Sequence, residues 1–255
     1  MVKTDYAVIA EKYDEDADRG RFEKEPIIDR ILHVRSHIRI LDLGCGTGNY
    51  IRRQNEHFNR DKSIEWIAAD PSAQMLARAK EKEGDVTYIQ SKAEDLDFPD
   101  GHFDFIVCNF AFHHFERKEL ALDKIQRFLR EDGFFKLKNI APERMEAWWV
   151  YHYCPKAWYE DLHRFWPNDL LVYELERRGL SSVLRVTSEE AWLPLEKIAK
   201  DFERRDISQL AMINDAAYEK GLEKLRRQMA EGRTEYRNAF ALVDIEARRV
   251  AQRSV

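Results

Sequence analysis

The stretch Ile40-Leu41-Asp42-Leu43-Gly44-Cys45-Gly46-Thr47-Gly48-Asn49-Tyr50 constrains this chain more than any other. An apolar, strand-like run meets a carboxylate, then glycine at every second position, then a segment able to start a helix. Glycine has no Cβ and tolerates positive φ, so such a backbone can turn sharply and approach a ligand closely. The helix start that follows offers unpaired N–H groups and partial positive charge to an anionic group, and Asp42 offers a carboxylate to a cationic one. The junction suits a zwitterionic ligand. A plain strand-to-helix turn needs neither the third glycine nor the acid. The dinucleotide fingerprint Gly-x-Gly-x-x-Gly would place its third glycine where this chain has Asn49, and the glycine comes one residue early, at Gly48.

The chain has 255 residues, enough for one large α/β domain. Its net charge of -5 argues against a surface that tracks phosphates, so nucleic acid is not an expected partner. The three cysteines, Cys45, Cys108 and Cys154, are widely spaced, and neither a disulfide framework nor a metal site is legible. No apolar run approaches the ~20 residues needed to span a bilayer, and the first residues lack the apolar core of a signal peptide. A cytoplasmic protein without membrane association is expected, with the oligomeric state open.

Taken in order, residues 1–25 carry Tyr6, Val8, Ile9 and Tyr13 at helical spacing, which predicts a helix packed at the domain edge. A helix from Pro26 leads to a first strand, Ile38 to Leu43. A second strand, Ile64 to Ala69, ends in Asp70. A carboxylate there, about 20 residues past the glycines, is well placed to accept both hydroxyls of a ribose. Ser72 can cap the next helix, on which Met75 reads as a core position. Val86 to Gln90 is a third strand, and Phe103 to Asn109 a fourth, apolar enough to be covered on both faces. The loop beyond it holds His113 and His114, where doubly wound sheets place ligands. An imidazole there can take a proton, or simply pack and hydrogen-bond the loop. A helix closed by Asp132-Gly133 and a strand from Phe134 to Asn139 follow. Aromatic side chains crowd residues 143–173, either covering a broad apolar surface or lining a pocket for an apolar or cationic acceptor. The remainder predicts a helix over Leu170 to Arg178, a strand near Ser182 to Thr187, a long helical stretch from Glu189 to Glu231, and a last strand from Ala239 to Ile245.

Over residues 36–140 the chain resembles the class I S-adenosylmethionine (SAM) dependent methyltransferases of the small-molecule group. The glycine stretch resembles their first motif, Asp70 to Leu76 the second, Ser91 to Leu96 the third, and Asn109 to Phe115 the fourth. The resemblance implies that Asp42, Gly44, Gly46 and Gly48 hold the methionine end and ribose of SAM, with Asp70. It implies that Met75 packs against the adenine, that Ala93 and Glu94 border it, and that Asn109, a further cofactor-binding candidate, opens the loop carrying the catalytic candidates His113 and His114. It also implies an N-terminal arm folding over the cofactor, which makes Tyr13 a pocket candidate. The family commonly carries two glycines after the fourth strand's helix, where this chain has Gly133 and Phe134.

The implied fold is α/β, a doubly wound, seven-stranded, mostly parallel sheet with helical C-terminal additions. One domain over 1–255 is expected: an arm at 1–37, a SAM-binding core at 38–140, and an acceptor-covering segment with the last strands at 141–255. The implied activity is SN2 transfer of a methyl group from SAM to a small-molecule acceptor. Trp149, Tyr153 and Trp158 are the expected acceptor contacts. Two other readings stand beside it: a nicotinamide-dependent oxidoreductase, and a SAM-binding protein without chemistry.

Overall fold

A computed structural model describes Asp14 together with residues 22–205 and 207–250. Helix α1 (Pro26–Leu32) opens on proline, whose missing N–H costs nothing at a helix start, and turns Ile27, Ile28 and Ile31 inward. Then come β1 (Ile38–Leu43), α2 (Asn49–His57), β2 (Ile64–Asp70), α3 (Ala73–Lys82), β3 (Thr87–Gln90), β4 (Phe103–Asn109), α4 (Lys118–Phe128) and β5 (Leu129–Ile140). Strands β1, β2 and β4 are buried along nearly their whole length, which is why their sequences are continuous apolar runs. They pair in parallel, β1 with both β2 and β4, β2 with β3, and β4 with β5.

The chain continues through α5 (Trp149–Tyr153), α6 (Pro155–Arg164), α7 (Asn168–Glu176), β6 (Leu180–Pro194), α8 (Leu195–Arg204), α9 (Ser208–Met212), α10 (Asp215–Ala230) and β7 (Glu235–Arg249). The seven strands lie in the order β3-β2-β1-β4-β5-β7-β6, mostly parallel with one antiparallel hairpin. This is the α/β architecture that the sequence predicts. Chain order reverses between β1 and β4, the kind of switch point at whose carboxyl edge doubly wound sheets place ligands.

Two boundaries differ from the sequence expectation. Strand β5 starts at Leu129, and Asp132-Gly133 lies inside it. Asp132 has φ of 64°, the β4–β5 register shifts near Phe103, and a Cβ on Gly133 would stand 2.9 Å from the Arg130 carbonyl oxygen. The pair is a bulge in a strand, not the end of a helix. The expected helical run from Glu189 to Glu231 is likewise broken up. Residues 189–194 extend β6, Arg205 ends α8 in the left-handed region at φ of 48°, and the Asn214 side chain accepts the Ala217 N–H to start α10. Helix propensity is a weak prior, and pairing in the sheet overrides it at the acidic end of β6.

Two compact units share the chain. Among the described residues, one holds Asp14, 22–139, 167–185 and 244–250, and the other holds 140–166, 186–205 and 207–243. The first is built on the parallel strands, with Ile28, Ile38, Ile40, Ile51, Trp66, Leu76, Phe105 and Val107 in one buried cluster. In the second, Asp161 is fully buried and accepts hydrogen bonds from the Tyr151 hydroxyl at 2.6 Å and the Gln209 amide at 2.9 Å, with the Arg164 guanidinium paired to its other oxygen. Aromatic rings pack on one another in the same unit: Trp148 on Tyr151 at 4.8 Å and Trp149 on Phe202 at 5.4 Å between centroids. Among the described residues, no helix is long and apolar enough to cross a membrane.

Candidate functional site

The three glycines of the loop after β1 all have positive φ: 76° at Gly44, 53° at Gly46 and 75° at Gly48. Each has a different neighbour. A Cβ on Gly44 would collide with the Cβ of Ala111, in the loop after β4. One on Gly48 would stand 3.0 Å from the Cβ of Ala79 in α3. One on Gly46 would meet nothing within 4 Å among the described residues. The outer two glycines let elements of the fold approach, and the middle one borders open space. The loop is pinned from below, since the Gly44 and Cys45 N–H groups donate to the Ala69 carbonyl at 2.8 and 3.1 Å.

Two carboxylates stand behind this loop. Asp42, near the end of β1, is 2 % exposed, and its Oδ2 has no hydrogen-bond partner among the described residues. Burial, and then the neighbouring Asp70, push its pKa up to about 8. Asp70, at the end of β2, accepts the Gly46 N–H on Oδ2 at 2.9 Å and the Ser72 N–H on Oδ1 at 2.8 Å. Burial raises the Asp70 pKa, and these two amides oppose the shift. Ser72 caps α3 through the Met75 N–H at 3.3 Å, and Met75 is buried. Ala93 and Glu94 are buried in a short 3-10 turn after β3, where the Glu94 carboxylate accepts the Glu116 and Arg117 amides at 3.1 and 3.4 Å.

The loop after β4 lies against the glycine loop through Ala111. Asn109 ends the strand, and its Nδ2 is buried with no partner among the described residues. Phe110 follows at φ of 53°, a conformation that L side chains rarely adopt, with its N–H on the Lys138 carbonyl at 2.7 Å. His113 and His114 sit in a 3-10 turn, ring centroids 3.8 Å apart, with His113 buried. Thus Asp42, the three glycines, Asp70, Asn109 and the loop bearing both histidines converge on one edge of the first unit.

The expected acceptor contacts lie in the second unit. Trp149 and Tyr153 are 4 % and 3 % exposed, and the Tyr153 hydroxyl donates to Gln228 at 2.7 Å. Trp158 is partly buried and donates its Nε1–H to the Pro142 carbonyl at 3.0 Å. Tyr13 lies outside the described residues.

The orphan oxygen of Asp42, the orphan amide of Asn109 and the open space before Gly46 fit a ligand with a cationic end, a polar ring and an extended body. A family model described as a methyltransferase domain matches residues 40–133. The chain is 32% identical over 121 residues to the malonyl-[acyl-carrier protein] O-methyltransferase of Enterobacter lignolyticus, covering 46% of each chain. It is 33% identical over 143 residues to the ubiquinone/menaquinone biosynthesis C-methyltransferase of Yersinia pestis, covering 52% of this chain and 56% of that one. A crystal structure of a candidate methyltransferase from an antibiotic biosynthesis pathway of Anabaena variabilis superposes with a TM-score of 0.64 at 25% identity, covering 88% of this chain and 98% of that one. The chain carries a methyltransferase domain over residues 40–133 and is similar there to the class I SAM-dependent methyltransferases. It spans about half the length of the curated relatives it matches.

Within this methyltransferase fold, sequence reasoning missed one cluster beside the glycine loop. Asp14 accepts the Thr47 hydroxyl at 2.7 Å, the Asn49 amide at 3.0 Å and the Lys82 ammonium at 2.7 Å, and Lys82 also reaches Asn49 Oδ1 at 2.7 Å. Burial raises the Asp14 pKa, but Lys82, Thr47 and Asn49 together hold it below the usual carboxylate range. Nothing in the spacing of Asp14 and Lys82, 68 positions apart, signals that they meet. Phe110 was also missed. An aromatic residue directly after the last strand residue, Asn109, was the available signal.

Proposed function

We propose that this chain transfers a methyl group from SAM to a small-molecule acceptor. The observation that carries the reading is the buried, unpartnered Oδ2 of Asp42 behind a glycine loop whose middle residue borders open space. A carboxylate held neutral in the free protein becomes a partner for an ammonium group. Asp42 would take the amino group of SAM, the Gly44-to-Gly48 backbone its methionine and ribose, Asp70 the ribose hydroxyls, and Met75, Ala93 and Asn109 the adenine side. Glu94 would shape that side by holding the start of α4 rather than by touching the ring. The bound cofactor supplies a sulfonium methyl that a nucleophile attacks in line. The protein's part is then to align the acceptor and exclude water, with His113 or His114 taking a proton where the acceptor has one to lose.

For the acceptor we propose the aromatic segment, with Trp149, Tyr153 and Trp158 as contacts. The relatives named above modify oxygen in one case and carbon in the other, so the family leaves the acceptor atom open. A nicotinamide-dependent oxidoreductase would need its third glycine where Asn49 stands. Calorimetric titration with SAM and with NAD tests the cofactor: SAM binding alone supports the reading, and NAD binding without SAM overturns it. Release of S-adenosylhomocysteine from SAM in a metabolite mixture tests chemistry, and its absence at saturating SAM favours a binding protein.

A further inference from the structure

The second unit holds a cavity of about 540 Å³ between α10 and the α5–α6 junction, with Tyr153, proposed above as an acceptor contact, on one wall. Its lining includes Lys156 from α6, and Lys220, Glu223, Lys224 and Arg227 from α10. Positions 220, 223, 224 and 227 recur at helical spacing, so these side chains share one face of α10. Four cations and one carboxylate leave three net positive charges on a small concave surface, in a chain whose net charge is -5.

Elsewhere in this protein basic side chains are commonly matched to acids, as in Arg30–Glu246 at 2.6 Å, Arg60–Glu83 at 2.8 Å and Arg205–Asp215 at 2.8 Å. Around this cavity they are not. Among the described residues, Lys156, Lys220 and Arg227 form no ion pair, and Lys224 gives its ammonium to the His152 backbone carbonyl at 2.8 Å. His152 lies on the wall with its Nε2 buried and without a hydrogen-bond partner. Its ring is held against Tyr236, with centroids 4.7 Å apart. Burial, then the charges of Lys224 and Arg233, lower the His152 pKa to about 4, so the ring is neutral at pH 7 and has one N–H to donate. Burial, then the charge of Arg227, also lowers the Lys224 pKa. Unpaired cations gathered around a concave surface are the complement of an anion with several oxygens.

We propose that this cavity is a binding site for a small ligand carrying a phosphate or several carboxylates, with Lys220, Arg227 and Lys156 around the anion. The proposal does not require SAM, although the cavity shares Tyr153 with the proposed acceptor contacts. Arg226 also lies on α10 but outside the cavity lining, and it serves as a control for loss of charge alone.

The test is calorimetric titration of the full chain, without SAM, against inorganic pyrophosphate and against citrate at constant ionic strength. Saturable binding of either supports the site, and the tighter probe assigns the ligand to the phosphate or the carboxylate class. K220Q/R227Q should weaken that binding about tenfold or more, as expected when charged hydrogen bonds are lost, whereas R226Q should change it little. Circular dichroism checks that both variants fold, which these exposed positions favour. Absence of saturable binding by both probes overturns the proposal, as does equal loss in K220Q/R227Q and R226Q, which would show general attraction to a basic helix.

Discussion

The Asp70 carboxylate accepts the backbone N–H of Gly46 at 2.9 Å, tying the end of β2 to the middle of the glycine loop. One side chain thereby fixes the loop's conformation and borders the space in front of it. Asp70 holds the loop whether or not it also binds ribose, so its removal has two separable effects. Asp70→Ala should lower stability and weaken SAM binding, each by the ~1.5 to 3 kcal/mol typical of hydrogen bonds to a charged group. Thermal unfolding measures the first and SAM titration the second. A loss of stability with unchanged SAM affinity would mean that Asp70 only holds the loop.

The glycines should separate fold from ligand. Gly44→Ala drives a methyl group into Ala111, in a left-handed conformation that already disfavours a side chain, and should destabilise by about 2 kcal/mol or more. Gly46→Ala meets no atom of the described residues and should cost only the ~1 to 2 kcal/mol of its left-handed backbone, while the added methyl occupies the proposed ligand space. Denaturant unfolding beside SAM titration should show Gly44→Ala as the worse folder and Gly46→Ala as the worse binder, corrected for the folded fraction. Equal SAM affinity in Gly46→Ala and the parent would move the cofactor away from this loop.

Asp42 should reveal itself through protons. With its pKa pushed up to about 8, it is mostly neutral in the free protein at pH 7. An ammonium placed beside it lowers that value, so binding of SAM near pH 7 should release a proton. Titrations in buffers of different ionisation enthalpy measure the number released, which should approach about one per SAM bound. Asp42→Asn should abolish the release. The same shift acts on folding. The folded protein retains the proton from the unfolded value of 3.8 up to about 8, so SAM-free stability should fall as pH rises through that window. Asp42→Asn should flatten this slope, and a slope unaltered by the substitution would place the titration on another group.

The histidine pair should divide by role. If one of them is the base, its Ala variant should lower kcat about 100-fold with SAM affinity unchanged, and the rate should recover at high pH where the acceptor ionises unaided. His113 is buried and His114 more open, so His114→Ala should be the better-folded variant. Normal turnover by both variants would leave the pair a structural part of the loop after β4.

Local chemistry made much of this protein legible in its sequence. The continuous apolar runs of β1, β2 and β4 require cover on both faces, and three alternating glycines after a strand require a loop with positive φ. Those constraints are local, so they could be read without the fold. Long-range pairing could not. Residues 189–194 have a composition that suits a helix and become strand because a partner strand is present. Asp132-Gly133 resembles a helix end and becomes a bulge because β5 must stay in register with β4. The motif residues were found in order, but their states were not: only burial beside Asp70 makes Asp42 neutral, and only the approach of α4 occupies the Glu94 carboxylate. The aromatic segment was visible as composition, while its burial in the second unit came from long-range partners such as Phe202 for Trp149 and Gln228 for Tyr153. Sequence determines which groups are available and which backbone conformations they tolerate. Tertiary structure decided which polar atoms are left without partners, because desolvation and pairing depend on neighbours far away along the chain.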